Sequence, residues 1–293
     1  MAALEHIFHT QNPIIGVVHL LPLPTSPRWG GNLEAAIARA EQEATALAAG
    51  GVDGIIVENL NDMPYTKGQA DPAVVSAMTA IVQRIKQMVQ LPLGLNVLRN
   101  DGRSALAIAA CTGAQFIRVN VLTGVMVTDQ GTIEGDAYNL LRYRRQLGAD
   151  IQIYADVLVK HARPLAATNP ISVVKDTVER GLADGIILSG WATGHPPSID
   201  ELEMARATAP DTPLLIGSGA NLDNISSLLQ VADGAIVATS LKRHGKLSEG
   251  IDPIRVSRFV EAAHRHLARV REAEADAAAA NVDRSAGLSV GRS

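Results

Sequence analysis

The chain has 293 residues, of which 47% are hydrophobic and 19% charged, with a formal net charge of −4 and a pI near 6.1. This length suits one large α/β barrel or two ordinary domains, and the mildly acidic balance argues against nucleic acid as a partner. The single cysteine, Cys111, excludes an intramolecular disulfide and a cysteine-based zinc cluster. Its alanine-rich surroundings predict a buried packing thiol.

The ends of the chain differ from its middle. The N-terminus does not resemble a secretory signal, and no apolar run approaches the roughly 20 residues that span a bilayer. We therefore expect a protein that is soluble or peripheral to a membrane. Residues 1–13 are predicted to be an N-terminal segment and residues 14–271 a barrel domain. Residues 272–293 lack apolar periodicity and are predicted to be a disordered tail.

Eight short apolar runs predict strands, and helix-like segments alternate with them. The predicted strands are 14–21, 54–59, 93–98, 116–120, 151–159, 185–190, 214–219 and 235–240. The predicted helices are 33–49, 72–89, 104–112, 137–147, 172–182, 199–209, 222–229 and 253 to about 275. Strict alternation favours parallel pairing, and eight such units close into a single (β/α)8 TIM barrel.

Two local patterns support the barrel. A doubly wound sheet would carry a glycine-rich fingerprint after its first strand, where this chain has a proline-rich loop. Asp-Gly pairs also precede three predicted strands, at Asp53-Gly54, Asp184-Gly185 and Asp233-Gly234. They would lie at the N-terminal face of a barrel, where residues serve stability, so we interpret them as structural.

Nearly every predicted strand ends in polar residues, which a barrel brings to one rim. The candidates for catalysis are His19, Glu58, Arg118, Asp156 and His161, and further candidate ligand contacts are Asn96, Asn120 and Lys160. Carboxylates there could act as acid, base or metal ligand, and an arginine could hold an anion. The alternative is that these side chains cap helices or pair with one another. No metal-binding signature is present, so neither a metal nor a cofactor is identified.

The last two predicted strands are followed by loops suited to phosphate. The sequences IGSGANLDN and VATSLKRHGK offer Gly217, Ser218, Gly219, Thr239 and Ser240. Many barrels bind phosphate at this position through backbone amides and hydroxyl groups. A phosphorylated small molecule is therefore a predicted ligand. The alternative is that the glycines only permit tight turns.

Three further segments are open to two interpretations. The loops LPLPTSPRWGG and SGWATGHPPS, with Trp29 and Trp191, could be lids or partner surfaces, or could be buried over the helices. The last predicted helix is amphipathic and basic, so it could lie on an anionic membrane. Packing of its apolar face against the barrel is the favoured interpretation.

With these motifs in view, the chain resembles the BtpA family of photosystem I biogenesis proteins. The resemblance rests on GVVHLLPLPTSPRWGG, GGVDGIIVEN, FIRVNVLTGVMVTDQGTIEG, ADVLVKHARPL, GLADGIILSGWATGHPP and IGSGANLDNI, among other segments in one order. It extends from about Ile14 to His264, and the sequence of these segments is most similar to that of cyanobacterial members.

The resemblance implies a TIM barrel that is peripheral to the cytoplasmic face of the thylakoid membrane. It implies that the protein helps photosystem I reaction-centre proteins to accumulate, with those proteins or their assembly machinery as partners. It supplies no catalytic residues. The alternative is a barrel enzyme acting on a phosphorylated or nucleoside-like small molecule, with an indirect effect on photosystem I. The formation of a homo-oligomer stays open.

Overall fold

The computed structural model describes residues 2–190 and 195–265. The strands are β1 (Ile14–His19), β2 (Gly54–Glu58), β3 (Leu93–Asn96), β4 (Phe116–Val119), β5 (Val125–Thr128), β6 (Gly131–Glu134), β7 (Gln152–Val157), β8 (Ala162–Pro164), β9 (Gly185–Leu188), β10 (Leu214–Ile216) and β11 (Gly234–Val237). The helices are α1 (Ala2–Phe8), α2 (Leu33–Ala49), α3 (Pro72–Met88), α4 (Gly102–Thr112), α5 (Ala137–Leu147), α6 (Pro170–Lys175), α7 (Ile199–Thr208), α8 (Ile225–Leu228) and α9 (253–265). Short helical turns span Leu60–Asp62, Asp176–Arg180, Thr239–Leu241 and Arg243–Gly245.

Eight parallel strands close into a barrel in the order β1-β11-β10-β9-β7-β4-β3-β2, which confirms the predicted (β/α)8 TIM barrel. The helices cover its outside with one apolar face each. Helix α3, for example, starts at Pro72 after the capping side chain of Asp71, and its residues Val74, Met78 and Ile81 are buried. That spacing follows the helical period of 3.6 residues, so the face turned to the strands is continuous.

Aspartates join neighbouring strands at the N-terminal end of the barrel. Each accepts a hydrogen bond from the backbone amide of the adjacent strand: Asp53 from Ile14 at 2.7 Å, Asp184 from Ile153 at 2.8 Å, and Asp233 from Leu214 at 2.8 Å. Arg144 pairs with Asp184, and Arg206 pairs with Asp233. The structural interpretation of the three Asp-Gly pairs is therefore confirmed.

Helix α1 closes the N-terminal end of the barrel. It lies within the segment 1–13 that the sequence set apart, and its Leu4, Ile7 and Phe8 are buried among interior side chains of the strands. The rings of Phe8 and Phe116 meet edge to face with centroids 5.3 Å apart. The N-terminal segment is thus packed into the same interior core as the strands.

A small antiparallel sheet stands over the C-terminal end of the barrel. Its order is β6-β5-β8, and it is formed from the connections that follow β4 and β7. Its own apolar cluster contains Val121, Met126, Ile133 and Val159. The sequence does not predict this sheet, because its strands have three or four residues each, which is too short for a periodic signal.

The prediction that Cys111 is buried is wrong, since the thiol-bearing residue is exposed. Helix α4 buries Ala105, Ile108, Ala109 and Thr112, and Cys111 falls on the opposite side of that helical period. In α9, Val256, Phe259 and Ala263 are buried, so its apolar face packs against the barrel as favoured.

Several predicted features lie outside the described residues. They are Trp191, the continuation of the last helix to about residue 275, and the tail 272–293. Within the described residues, no helix is both long and apolar enough to cross a bilayer.

The plug formed by α1 predicts a large effect of one substitution. Phe8→Ala removes a buried ring and leaves a cavity beneath the strands, so we expect the free energy of unfolding to fall by about 3–5 kcal/mol. Urea denaturation followed by circular dichroism measures it. His6→Ala, on the exposed side of the same helix, is the control and should change little. Equal stabilities for the two variants would contradict the assignment of α1 to the core.

Candidate functional site

The interior of the barrel changes from apolar to polar along its axis. Alternate residues of each strand point inward. Interior positions in the lower part are apolar, including Ile15, Val17, Ile56, Ile187, Leu215 and Ile236. The last interior position of several strands is instead polar, as at His19, Glu58, Asn96, Arg118 and Asp156. In register, His19 lies beside Glu58 and Glu58 beside Asn96, so the C-terminal end of the barrel, here called the mouth, has a polar floor.

A buried ion pair anchors this floor. Arg118 donates two hydrogen bonds to Asp156, from Nε to Oδ2 at 2.9 Å and from Nη2 to Oδ1 at 2.8 Å. Asn120 donates a third to Asp156 Oδ2 at 2.8 Å, and Asn96 donates to Asn120 Oδ1 at 3.1 Å. Although burial opposes its charge, the Asp156 carboxylate raises the pKa of Arg118. Both oxygens of Asp156 are thus engaged, and its role in this arrangement is to hold Arg118.

His19 and Glu58 form a second, looser pair. Nε2 of His19 lies 3.7 Å from Oε1 of Glu58, and Nδ1 of His19 is buried without a hydrogen-bond partner among the described residues. Burial, with help from the nearby Lys242 and Lys160, lowers the pKa of His19 to about 3. Burial also raises the pKa of Glu58, against the opposing pull of Arg118. The pair therefore combines a neutral imidazole with a carboxyl group that retains its proton more readily than usual.

Two basic side chains stand above the floor without a carboxylate partner in the part of the chain that the structure describes. Arg99 is buried and donates one hydrogen bond, from Nη2 to the Lys160 carbonyl oxygen at 3.0 Å. The Lys160 ammonium group has no hydrogen bond or ion pair with any residue in the described ranges. Burial and the Arg118 charge lower the pKa of Lys160. His161 is exposed at the rim, and burial followed by the Lys160 charge lowers its pKa.

The loops after β10 and β11 line the opposite side of the mouth. Gly219 has φ +78, and a Cβ there would collide with the backbone of His195 and Pro196, so glycine is required. The Ser218 hydroxyl donates to the His195 carbonyl oxygen at 3.1 Å, and the Ser240 hydroxyl donates to the Ala220 carbonyl oxygen at 2.5 Å. The backbone amides of Ser218, Gly219, Thr239 and Ser240 donate to no acceptor in the described part of the chain. Both loops therefore keep free donors.

These groups surround one cavity of about 640 Å³, within the range of small-molecule sites. The structure brings twelve of the thirteen predicted site residues to its wall: His19, Glu58, Asn96, Arg118, Asn120, Lys160, His161, Gly217, Ser218, Gly219, Thr239 and Ser240. The thirteenth, Asp156, lies behind Arg118.

Other residues of the wall were not predicted to be site residues. Tyr65 and the exposed Asp129 also line the cavity. Asp129 lies at the tip of the hairpin β5–β6. The one sequence feature that marks this hairpin is its Thr-Asp-Gln-Gly turn. Tyr65 follows β2 by several residues, and nothing in the sequence directs its ring toward the mouth.

The proline-rich loop of residues 20–31 does not line the mouth cavity; Thr25, Ser26 and Pro27 border a neighbouring groove, and Asp62 fixes the loop by accepting from the Leu23 amide at 2.8 Å. In the described part of the chain, no group of three or more His, Cys, Asp or Glu side chains is arranged to hold a metal ion.

Fold and site together define a TIM barrel with a polar ligand cavity at its mouth. Solved barrel enzymes of low identity share this fold. N-(5'-phosphoribosyl)anthranilate isomerase from Pyrococcus furiosus aligns with a TM-score of 0.52 and 15% identity, covering 87% of this chain and 100% of its own. 3-Hexulose-6-phosphate synthase from Salmonella typhimurium aligns with a TM-score of 0.54 and 11% identity, covering 87% and 99%.

The chain belongs to the BtpA family, whose model matches residues 10–265. It is 69% identical over 259 residues to the photosystem I biogenesis protein BtpA of Synechocystis sp., covering 88% of this chain and 90% of that protein. A protein of Pyrococcus furiosus is 48% identical over 248 residues, covering 85% and 93%. The resemblance noted from the sequence motifs is thereby confirmed.

The floor of the mouth predicts opposite effects for two neutral replacements. Asp156→Asn leaves the buried Arg118 without its counter-charge, and we expect a loss of about 3–5 kcal/mol in the free energy of unfolding. Glu58→Gln replaces a carboxyl group whose ionised form is disfavoured, so we expect unchanged or higher stability at neutral pH. Chemical denaturation of both variants provides the measurement. A stability loss for Glu58→Gln as large as for Asp156→Asn would contradict this charge assignment.

His19 predicts a pH dependence of stability. Its pKa is lower in the folded protein than in the unfolded chain, so its contribution is complete above the unfolded value and is lost as the pH falls toward the folded value of about 3. His19→Gln removes that contribution. We expect its Tm to fall less than that of the wild type between about pH 7 and about pH 5. The exposed His6→Gln is the control, and a wild-type slope for His19→Gln would refute the burial of a neutral imidazole.

Proposed function

We propose that this protein promotes photosystem I biogenesis and that its barrel mouth binds a phosphorylated small molecule needed for that role. The first part is carried by the 69% identity to the Synechocystis biogenesis protein, which extends over nearly the whole described barrel. At that identity the two proteins share the fold. The expected result of its action is accumulation of the photosystem I reaction-centre proteins.

The proposed place of action is the cytoplasmic face of the thylakoid membrane, with peripheral attachment. No described helix is suited to span the bilayer, and the apolar face of α9 is used in packing on the barrel. Contact with the membrane or with photosystem I would therefore involve surface loops and the outer sides of helices. The proposed partners are the reaction-centre proteins or the machinery that assembles them.

The proposed ligand is supported by the loops after β10 and β11. Four of their backbone amides have no acceptor within the described protein, and all four residues line the cavity: Ser218, Gly219, Thr239 and Ser240. Unpaired amides that converge in a concave site are suited to the oxygens of a phosphate group. The cavity volume of about 640 Å³ leaves room for a sugar-sized body attached to that phosphate.

A second candidate function is an enzyme that acts on this phosphorylated or nucleoside-like ligand, with an indirect effect on photosystem I. The His19–Glu58 pair favours it, because a carboxyl group of raised pKa can donate a proton while a neutral imidazole, which keeps one N–H group, can donate a hydrogen bond to a developing oxyanion.

Complementation of a Synechocystis strain that lacks the 69% identical relative tests the proposal. Thr239→Asp places a carboxylate in the cavity and should repel a phosphate, whereas Thr239→Asn has nearly the same shape without the charge. We expect wild type and Thr239→Asn to restore photosystem I per chlorophyll, measured by low-temperature fluorescence. We expect Thr239→Asp to accumulate as a folded protein and to fail.

Three outcomes separate the alternatives. Failure of the wild-type chain would refute a role in photosystem I biogenesis. Rescue by Thr239→Asp would refute the need for an anionic ligand and direct attention to the outer surface. Glu58→Gln then distinguishes binding from chemistry, since rescue by this variant means that a bound ligand is sufficient, and failure of the folded variant favours the enzyme.

A further inference from the structure

Two basic side chains of the mouth have no carboxylate partner among the described residues. Arg118 is fully paired with Asp156, so it does not contribute a free charge. Arg99 and Lys160 have no carboxylate within 4 Å among the described residues, although both line the cavity. Arg99 uses one of its five N–H groups in the single hydrogen bond to the Lys160 carbonyl oxygen.

The nearby acidic groups that the structure describes do not supply such a partner. Glu58 lies on the same floor, but burial raises its pKa and so disfavours its charged form. Asp129 is exposed at the rim, where solvent screens its charge, and it forms no ion pair with either cation. A buried guanidinium and a poorly solvated ammonium without counter-ions are costly unless something else neutralises them.

The barrel order places these two cations opposite the phosphate loops. Arg99 follows β3 and Lys160 follows β7, with β4 between those strands, whereas the phosphate loops follow the adjacent strands β10 and β11. In the strand order, β9 separates the Lys160 strand β7 from β10, and β1 and β2 separate the Arg99 strand β3 from β11. Cations and free amides thus face each other across one cavity, with the His19–Glu58 pair on the floor between them.

We propose that the ligand of the mouth carries two separate anionic groups, a phosphate held by the loops after β10 and β11 and a second phosphate or carboxylate held by Arg99 and Lys160. The inference rests on the proposed phosphate binding and adds a second end to the ligand. A bidentate contact from Arg99 and a point charge from Lys160 suit either anion. The body between the two ends then lies over His19, Glu58 and Asn96, whose buried Oδ1 has no donor among the described residues.

The electrostatics of Lys160 agree with this arrangement. Burial and Arg118 disfavour its ammonium form, and an anion bound beside it would reverse that preference. Removing the charge should therefore cost the folded protein nothing. We expect Lys160→Met to be at least as stable as the wild type while losing part of its ligand affinity.

Isothermal titration with two matched pairs of compounds tests the proposal. Glycerol 3-phosphate is compared with 3-phosphoglycerate, and fructose 6-phosphate with fructose 1,6-bisphosphate, so each pair differs by one terminal anion. In at least one pair we expect the doubly anionic compound to bind the wild type at least about tenfold more tightly. Lys160→Met should abolish that difference and leave binding of the singly anionic compound unchanged. Lys67→Met, which removes an exposed lysine outside this cavity, should retain it.

The outcomes are distinct from those of the proposed function. If no compound binds the wild type, or if Thr239→Asp does not weaken the binding, phosphate binding itself is refuted and this inference with it. If singly and doubly anionic compounds bind equally in both pairs, the second anion site is refuted and phosphate binding stands. If Lys160→Met keeps the full preference for the doubly anionic compound, the assignment of the second site to Lys160 is overturned.

Discussion

A closed barrel of eight strands has an interior that must be filled, and the way this chain fills it determines where chemistry can occur. From the N-terminal end upward, α1 and the lower strand positions supply apolar side chains, including Phe8, Phe116 and Tyr154. At the last interior position of several strands the side chains are polar. This buried polar layer is stable because Arg118 and Asp156 neutralise each other through two hydrogen bonds. If either partner were removed, the other would remain in the floor of the mouth as an unbalanced buried charge.

The same pair divides the polar residues into two roles. Most hydrogen bonds on one side of the floor join Asp156, Asn120 and Asn96 to one another and to Arg118, which makes that side rigid. His19, Glu58, Arg99 and Lys160 remain with unfilled capacity around the cavity. Buried ionisable groups that lack hydrogen-bond partners are stabilised most by a bound ligand, so we assign ligand binding to these residues.

Much of this was accessible from the sequence, for physical reasons. Strands covered on both faces appear as continuous apolar runs, and parallel topology forces their ends to one rim, so the eight strands and twelve cavity-lining residues could be predicted together. The pairing of these polar side chains could not be predicted, because the Arg118–Asp156 geometry depends on side-chain positions across different strands. The sheet β6-β5-β8, Tyr65 and Asp129 were also out of reach, since short strands and loop side chains leave no periodic pattern. Cys111 shows a local limit, because a helix rich in alanine has no sharp apolar face in its sequence.

Native mass spectrometry with a library of phosphorylated metabolites would show whether the mouth holds a phosphorylated molecule. We expect at least one compound to bind one-to-one to the wild-type protein and to Thr239→Asn, and we expect Thr239→Asp to lose it while remaining folded. Absence of any phosphorylated ligand on the wild type, or equal binding by Thr239→Asp, would refute phosphate binding at the mouth. In that case the protein's role in photosystem I biogenesis would have to be sought on its outer surface.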